Sequence, residues 1–326
     1  MAARGRTYWL TEACRVRRED QSLRIERTSG GPIHIPVTDV TDLVAFAPVD
    51  INTSAVSLLG HHKISLHLLD YYGNYTGIIA PAEAGPSGHI VVAQVLAFID
   101  ERTRLDLSRA VVGAACANVR WSLDTPLLDK PLETARAGLR EATTIESLMS
   151  VEGNFRRTSW AALDELLPPW LRLQGRSRRP PANAGNAFIS FVNGIVYARV
   201  LTAIRTTPLH PGVSFLHAID SRQRYPLALD LAEPFRPLFA ERLILRSASR
   251  RVLQPSDFEQ DVASAALSAQ GRKKVVTLVR DELDGTVYHR SLRRKVTYAE
   301  LMHLEALKLV RLLLEGAPYR AFHPWW

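Results

Sequence analysis

The feature that most constrains this chain is a change in its hydrophobic period near residue 81. From residue 7 to about 80 the apolar residues come in short or alternating runs, TYWL, SLRIER, PIHIP, DLVAFAPV, KISLHLLD and YTGIIA, separated by Gly, Pro, Asn and Asp. Such runs read as strands. Gly30, Gly31 and Pro32 mark a turn, and Gly73 with Asn74 marks a hairpin. One short helix is expected over 53–60, where Ala55, Val56, Leu58 and Leu59 make an apolar side. Residues 81–88, PAEAGPSG, have the composition of a linker. Beyond them the period becomes helical, over 89–120, 132–142, 145–149, 160–167, 186–204, 238–246, 257–282 and 298–314. The expected fold is α+β: a small β-rich N-terminal domain over 1–82, a linker at 83–88, and a larger all-α domain over 89–326.

At 326 residues and 46% hydrophobic, the chain can bury a sizeable core. A formal net charge of +8 points towards a polyanionic partner, although charge alone also fits plain solubility. The basic residues fall in clusters: Arg156 and Arg157; Arg176, Arg178 and Arg179; Arg250 and Arg251; Arg272, Lys273 and Lys274; and Arg290, Arg293, Arg294 and Lys295. Converging, they would track a phosphate backbone; dispersed, they are solvated helix ends. Cys14 and Cys116 lie far apart without metal-type spacing, which fits a reducing cytoplasm. The opening MAARGRTYWL lacks an apolar signal core, and the apolar stretch at 187–204 is interrupted by Asn193 and Arg199, so neither export nor a membrane span is expected. The chain has no Gly-rich phosphate loop ending in Lys-Ser or Lys-Thr, no dinucleotide fingerprint, no HExxH and no GxSxG. Nucleotide hydrolysis and serine chemistry are disfavoured.

The stretch FLHAIDSRQRYPLALDLAEPFRP, residues 215–237, places His217 before two acids, Asp230 and Glu233. On a helix, positions three apart share a face, so both acids can meet an imidazole arriving from the preceding loop. One imidazole among carboxylate oxygens suits Mg²⁺ or Mn²⁺ better than zinc. A further ligand is available in Glu152 of SLMSVEGNFRR, with Arg156 and Arg157 one turn on, suited to phosphate. Each residue also has a plainer reading: a helix end for Glu152 beside Gly153, a satisfied buried histidine for His217, and a helix-terminal acidic pair for Asp230 and Glu233. His61, His62 and His67 alternate around a strand and read as structural or surface histidines.

Taken in order, VEGN (151–154), RSRRPPANAGNAFISFVN (176–193), SFLHAIDSRQRYPLALDLAEPFRP (214–237), QGRKK (270–274) and HRSLRRKVTYAELMHLEALKLVRLLL (289–314) resemble the CRISPR-associated spacer-acquisition integrase family, the endonuclease-like Cas protein one. The resemblance spans nearly the whole chain, and the ending AFHPWW is similar to a subgroup associated with type I-B systems. It implies a β-rich domain that mediates homodimerisation and a helical catalytic domain with a divalent-metal site. Carried over by position, the metal-binding and catalytic residues are Glu152, His217 and Glu233, with Asp230 as the neighbouring acid and a second-rank ligand. The DNA-binding set is Arg156, Arg176, Arg178, Arg179, Arg236, Arg293 and Arg294. Glu233 stands where the family often has Asp; Ala47 and Arg15 stand where glycines are common, and these two touch only the N-terminal sheet.

The implied reaction is spacer integration, in which the 3′-hydroxyl of a short incoming DNA attacks a phosphodiester at the end of a repeat, with Mg²⁺ or Mn²⁺ as cofactor and an associated DNA endonuclease activity. The implied partners are the spacer precursor and repeat-array DNA, a second copy of the chain, and a small companion, the second Cas adaptation protein. Two other classes fit the residues. One is a metal-dependent nuclease of branched or single-stranded DNA, and the other a non-catalytic DNA-binding scaffold.

Overall fold

The computed structural model describes residues 5–82, 86–217, 224–262 and 264–326. The first strands, β1 (Arg6–Leu10), β2 (Cys14–Glu19), β3 (Ser22–Arg27), β4 (Ile33–Pro36), β5 (Val40–Ala45) and β6 (Val49–Ile51), are followed by α1 (Thr53–His61), β7 (Ser65–Leu69) and β8 (Tyr75–Ile79). They form two four-stranded sheets, ordered β1-β5-β7-β8 and β4-β3-β2-β6. The pairs β1/β5, β5/β7 and β2/β6 are parallel and the remainder antiparallel. Helix α1 starts where the Asn52 side chain accepts the Ala55 N–H, a favoured N-cap. The expected hairpin at Gly73 and Asn74 joins β7 to β8.

Strand alternation explains how this region docks onto the rest. In β5, Leu43 and Ala45 face the core of the two sheets with Val16, Leu23, Ile25, Leu58 and Leu66, whereas Val44 and the following Phe46 join the larger helical core. One sheet is therefore buried on both faces, which is why DLVAFAPV reads as a nearly continuous apolar run. The seam is tied by polar groups. Asp42, fully buried, accepts from Thr7 Oγ1 at 2.7 Å and Thr202 Oγ1 at 2.8 Å and pairs with Arg199. His67 contacts Thr202 Oγ1 through Nε2 at 2.8 Å and the Tyr75 hydroxyl through Nδ1 at 3.1 Å.

The helical region comprises α2 (Gly88–Ile99), α3 (Glu101–Leu123), α4 (Asp129–Glu141), α5 (Ile145–Leu166), α6 (Ala184–Arg205), α7 (Pro226–Ala232), α8 (Arg236–Phe239), α9 (Glu241–Ser249), α10 (Ala269–Asp284) and α11 (Tyr298–Glu315). It also carries two small antiparallel pairs, β9 (Phe258–Gln260) with β10 (Ala265–Leu267), and β11 (Thr286–His289) with β12 (Arg294–Thr297). The expected helix over 257–282 thus begins only at Ala269, where Ser268 caps it by accepting the Gly271 N–H. The expected helix over 89–120 divides at Asp100, whose carboxylate caps α3 at the Thr103 N–H. The two helical stretches expected over 145–149 and 160–167 are one helix. Residues 83–85 of the expected linker lie outside the described residues, and α2 starts at its last position.

Helix α6 is long and apolar enough to cross a membrane, but 78% of its most apolar window is buried within the fold. It is the central core helix, and Phe188, Phe191, Ile195 and Val200 are wholly or almost wholly enclosed.

Candidate metal centre

Helix α5 opens with reciprocal caps, Thr144 Oγ1 accepting the Ser147 N–H and Ser147 Oγ the Thr144 N–H, and continues unbroken for 22 residues. Glu152 therefore sits inside a helix and not at the end that Gly153 suggests. Arg156 and Trp160 follow at successive i+4 positions on the same face. Arg156 Nε lies 3.9 Å from Glu152 Oε1, its guanidinium sits 4.0 Å from the centre of the Trp160 ring, and Nη2 donates to Glu241 Oε1 at 2.6 Å. Glu241, in the first turn of α9, is 1% exposed.

His217 ends the described loop that precedes α7. Asp230, on α7, organises that loop: Oδ2 accepts the main-chain N–H of Phe215 at 2.7 Å and Leu216 at 3.0 Å, and Oδ1 accepts the His217 N–H at 3.0 Å and Nδ1 at 2.7 Å. Four donors occupy its lone pairs. Its oxygens are thereby turned onto the loop behind the histidine. An ionised carboxylate only accepts, so Nδ1 carries the ring proton and Nε2 is the position left for a ligand. Nε2 lies 3.9 Å from Glu233 Oε1. Residues 218–223 of the motif lie outside the described residues.

The electrostatics place Glu152, His217 and Glu233 within one field. Burial, then the charge of Glu233, pushes the Glu152 carboxyl above its ordinary range. Burial also acts upward on Glu233, but Arg236, His217, Arg156 and Arg178 together hold it below the usual value. Burial lowers His217, yet its hydrogen bond and charge contact with Asp230 win and the ring is raised overall.

Four of the expected DNA-binding arginines gather round these acids. Arg236 pairs with Glu233. Arg176 donates to Asn186 Oδ1 at 3.0 Å and Ser190 Oγ at 2.9 Å; burial, then its neighbour Arg178, lowers it to about 9. Arg178 is lowered as well, by burial and then by Arg236. Arg179 is exposed beside them in sequence. The remaining two stand apart on the β11–β12 hairpin, where Arg294 is engaged by Glu300 and Arg293 occupies a turn with φ of 50°. The other basic clusters do not all converge either. Arg272 stacks on Tyr71, Lys273 lies near Glu12, and Lys274 bonds Asp257.

Among the described residues no three His, Cys, Asp or Glu side chains are already gathered at ion-holding geometry. The donor set nevertheless suits a hard divalent cation: two carboxylates and one oriented imidazole, with a like-charge strain on Glu152 that a cation would relieve. Glu152, His217 and Glu233 are the residues that would hold it.

Sequence reasoning passed over the residues that brace this arrangement. Asn186, fully buried, donates from Nδ2 to Leu173 O at 2.8 Å and Gly175 O at 3.0 Å, and its Oδ1 takes the Ser177 N–H at 2.9 Å as well as Arg176. Glu241 steadies Arg156 in the same way. The available signal was a polar residue on an otherwise apolar helical face.

The family described as CRISPR associated protein Cas1 matches residues 7–281. A protein of Moorella thermoacetica named CRISPR-associated endonuclease Cas1 2 is 37% identical over 324 residues, 98% of this chain and 100% of that protein. The solved Cas1 protein TM1797 of Thermotoga maritima superposes with a TM-score of 0.85 at 28% identity, covering 95% of this chain and 97% of that one. A casposase bound to its integration product shares the fold with a TM-score of 0.84 at 19% identity, covering 96% and 91%. The family match and the relatives agree with the fold, and this chain belongs to the CRISPR-associated protein Cas1 family.

Proposed function

We propose that this chain is a metal-dependent DNA strand-transfer enzyme of CRISPR adaptation, acting in the cytoplasm. Its reaction joins the 3′-hydroxyl of a spacer precursor to a phosphodiester at a repeat end. The observation that supports it most directly is the approach of Glu152, His217 and Glu233, from three separate segments, inside a ring of Arg156, Arg176, Arg178 and Arg236.

A new bond forms between the incoming 3′ oxygen and phosphorus, the bond to the repeat strand's own 3′ oxygen breaks, and that oxygen leaves as a hydroxyl. The same site cuts DNA when water is the attacking group. When bound, Mg²⁺ or Mn²⁺ would lower the pKa of the attacking hydroxyl and offset charge on the phosphate oxygens. Arg178 and Arg236 present guanidinium groups to the phosphate without reading base edges. Asp230 fixes the rotation and tautomer of His217, and Glu241 keeps the Arg156 fork turned towards Glu152. The proposed assembly is a homodimer with the small companion Cas adaptation protein, which would space two transfer sites.

A strand-transfer assay tests the reading, using labelled DNA with a free 3′-hydroxyl, a repeat-containing plasmid, the companion protein and Mg²⁺ or Mn²⁺. Joined product from wild type, lost with His217→Ala and with chelator, is the expected result. Nicking without joining would leave only the nuclease activity. Metal-independent binding with neither product would make the chain a scaffold.

A further inference from the structure

The segment holding Glu233 is gripped by a part of the chain nearly ninety positions further on. Glu233 closes α7, its N–H reaching Leu229 O and Asp230 O. The chain then bends through Pro234 and Phe235 before α8. Pro234 O has no main-chain donor among the described residues, and Asn118 Nδ2, from the last third of α3, donates to it at 2.7 Å. The same Nδ2 donates to Phe322 O at 2.9 Å, while Asn118 Oδ1 meets His323 Nδ1 at 2.5 Å. Asn118 is 0% exposed. Both of its N–H groups are used in joining two backbones to one helix and its oxygen meets His323, and a buried amide deprived of these partners would be costly.

Phe322 is fixed at every group it has. Its ring stacks on Phe235 with centroids 4.6 Å apart and planes 8° from parallel. Its N–H donates to Glu305 Oε1 at 3.1 Å, and its carbonyl is the one held by Asn118. Glu305, on α11 and 1% exposed, also takes the Tyr319 hydroxyl at 2.6 Å and Lys308 Nζ at 2.7 Å. The arrangement reaches beyond α11, because three of its contacts end on Phe235 or on Asn118.

We propose that residues 319–323 form a clamp that sets the position of Glu233, with Asn118 as the positioning residue connecting the two segments. The clamp's effect on an ion rests on the assignment of Glu233 as a ligand; its effect on the backbone does not. The tail thereby makes the candidate centre depend on a segment that touches none of its ligands.

The test uses the full chain with Phe322→Leu, which keeps bulk but loses the stacked ring, and with Asn118→Leu, which removes both donated hydrogen bonds. Hydrogen exchange in the metal-free protein is expected to quicken about tenfold or more at the amides of Glu233 and Phe235, with the amides around Glu152 unchanged. The dissociation constant for Mn²⁺ alone, read from the signal of free ion, is expected to rise about 10- to 100-fold. Leu58→Ala, in the sheet core, serves as the control: it lowers stability while leaving both readings at wild-type values. Wild-type exchange at Glu233 and Phe235 in a folded Phe322→Leu protein overturns the clamp, whatever becomes of the Asn118 variant. Faster exchange with unchanged Mn²⁺ binding upholds the clamp and instead removes Glu233 from the ligand set.

Discussion

Asp230 holds His217 by two groups on one oxygen, the main-chain N–H at 3.0 Å and ring Nδ1 at 2.7 Å. The arrangement fixes both where the ring stands and which nitrogen faces Glu233. Asp230→Asn keeps the shape but turns an NH₂ group towards at least one of the four donors. A buried unsatisfied group costs about 1–3 kcal/mol, and the released ring loses its orientation. The expected result is a folded, less stable protein with Mn²⁺ affinity about 10- to 100-fold weaker, measured by metal titration beside thermal unfolding. Wild-type affinity would deny Asp230 this positioning role.

A second relationship fixes the N-terminal sheet to α6. A Cβ added at Gly194 would stand 1.8 Å from the carbonyl oxygen of Gly73, and one added at Gly73, where φ is +84°, would stand 2.6 Å from the Phe191 Cα. Backbone meets backbone here, so neither side can yield by changing a rotamer. Gly194→Ala is expected to cost about 3 kcal/mol through overpacking. Gly153→Ala, where the added methyl meets nothing within 4 Å, should gain about 1 kcal/mol from helix propensity. Urea unfolding of the two variants separates these outcomes, and equal midpoints would show that the hairpin does not dock on α6 in this way.

Acid stability should report the seam at His67. Burial is the main cause that lowers its pKa, with Asp42 opposing and Arg199 and Arg205 assisting, and the ring sits at about 4. Thr202 Oγ1 donates to Asp42, so it accepts from His67 Nε2–H, and Nδ1 accepts from Tyr75; the ring is neutral. A folded-state value below the unfolded one of about 6.5 means the unfolded chain takes up the proton first. Stability is complete above about pH 6.5 and falls as pH drops towards 4, by about 3 kcal/mol in total. The buried Asp42 does not enter this window. Burial raises it, but Arg199 and the hydroxyls of Thr7 and Thr202 bring it below 3.8 overall, so its contribution is lost only in stronger acid. Unfolding free energies at pH 7, 6 and 5 should decline for wild type and flatten for His67→Asn; parallel curves would exclude His67 as the cause.

The order of strands and helices was legible because burial on one face imposes a period, two in β3 and 3.6 in α4, on any sequence that fills those elements. The candidate site was legible because His217 and Glu233 lie close along the chain and Glu152 lies in a motif of its own. What escaped reading depends on distant backbone. Asn118 gives no sign in sequence that it meets Pro234 and Phe322, and Asp230 gives none that the N–H groups of Phe215 and Leu216 occupy its carboxylate. The RKK cluster at 272–274 read equally as part of a DNA surface or as a solvated helix end, whereas Tyr71 and Asp257 engage Arg272 and Lys274 within the fold. Charge is visible in sequence, and the partner that consumes it is not.

Arg176 and Arg178, two positions apart, should therefore respond differently to removal. Arg178 is exposed beside the candidate centre, and partial loss of hydration, then the charge of Arg236, lowers its pKa, so its charge is poorly offset within the protein and is available to a phosphate. Arg176 is spent on Asn186 and Ser190, and it helps fix the loop that presents Arg178. In Arg178→Gln the plot of log affinity for DNA against log salt should flatten by about one unit, equally for any sequence, with thermal stability unchanged. In Arg176→Gln stability should fall by about 1–3 kcal/mol, since Asn186 loses a charged donor, and the salt slope should change only as far as Arg178 is displaced. Binding titrations at several salt concentrations beside thermal melts distinguish the two. A base-dependent loss in the Arg178 variant would mean that this arginine reads sequence and is not simply holding a phosphate.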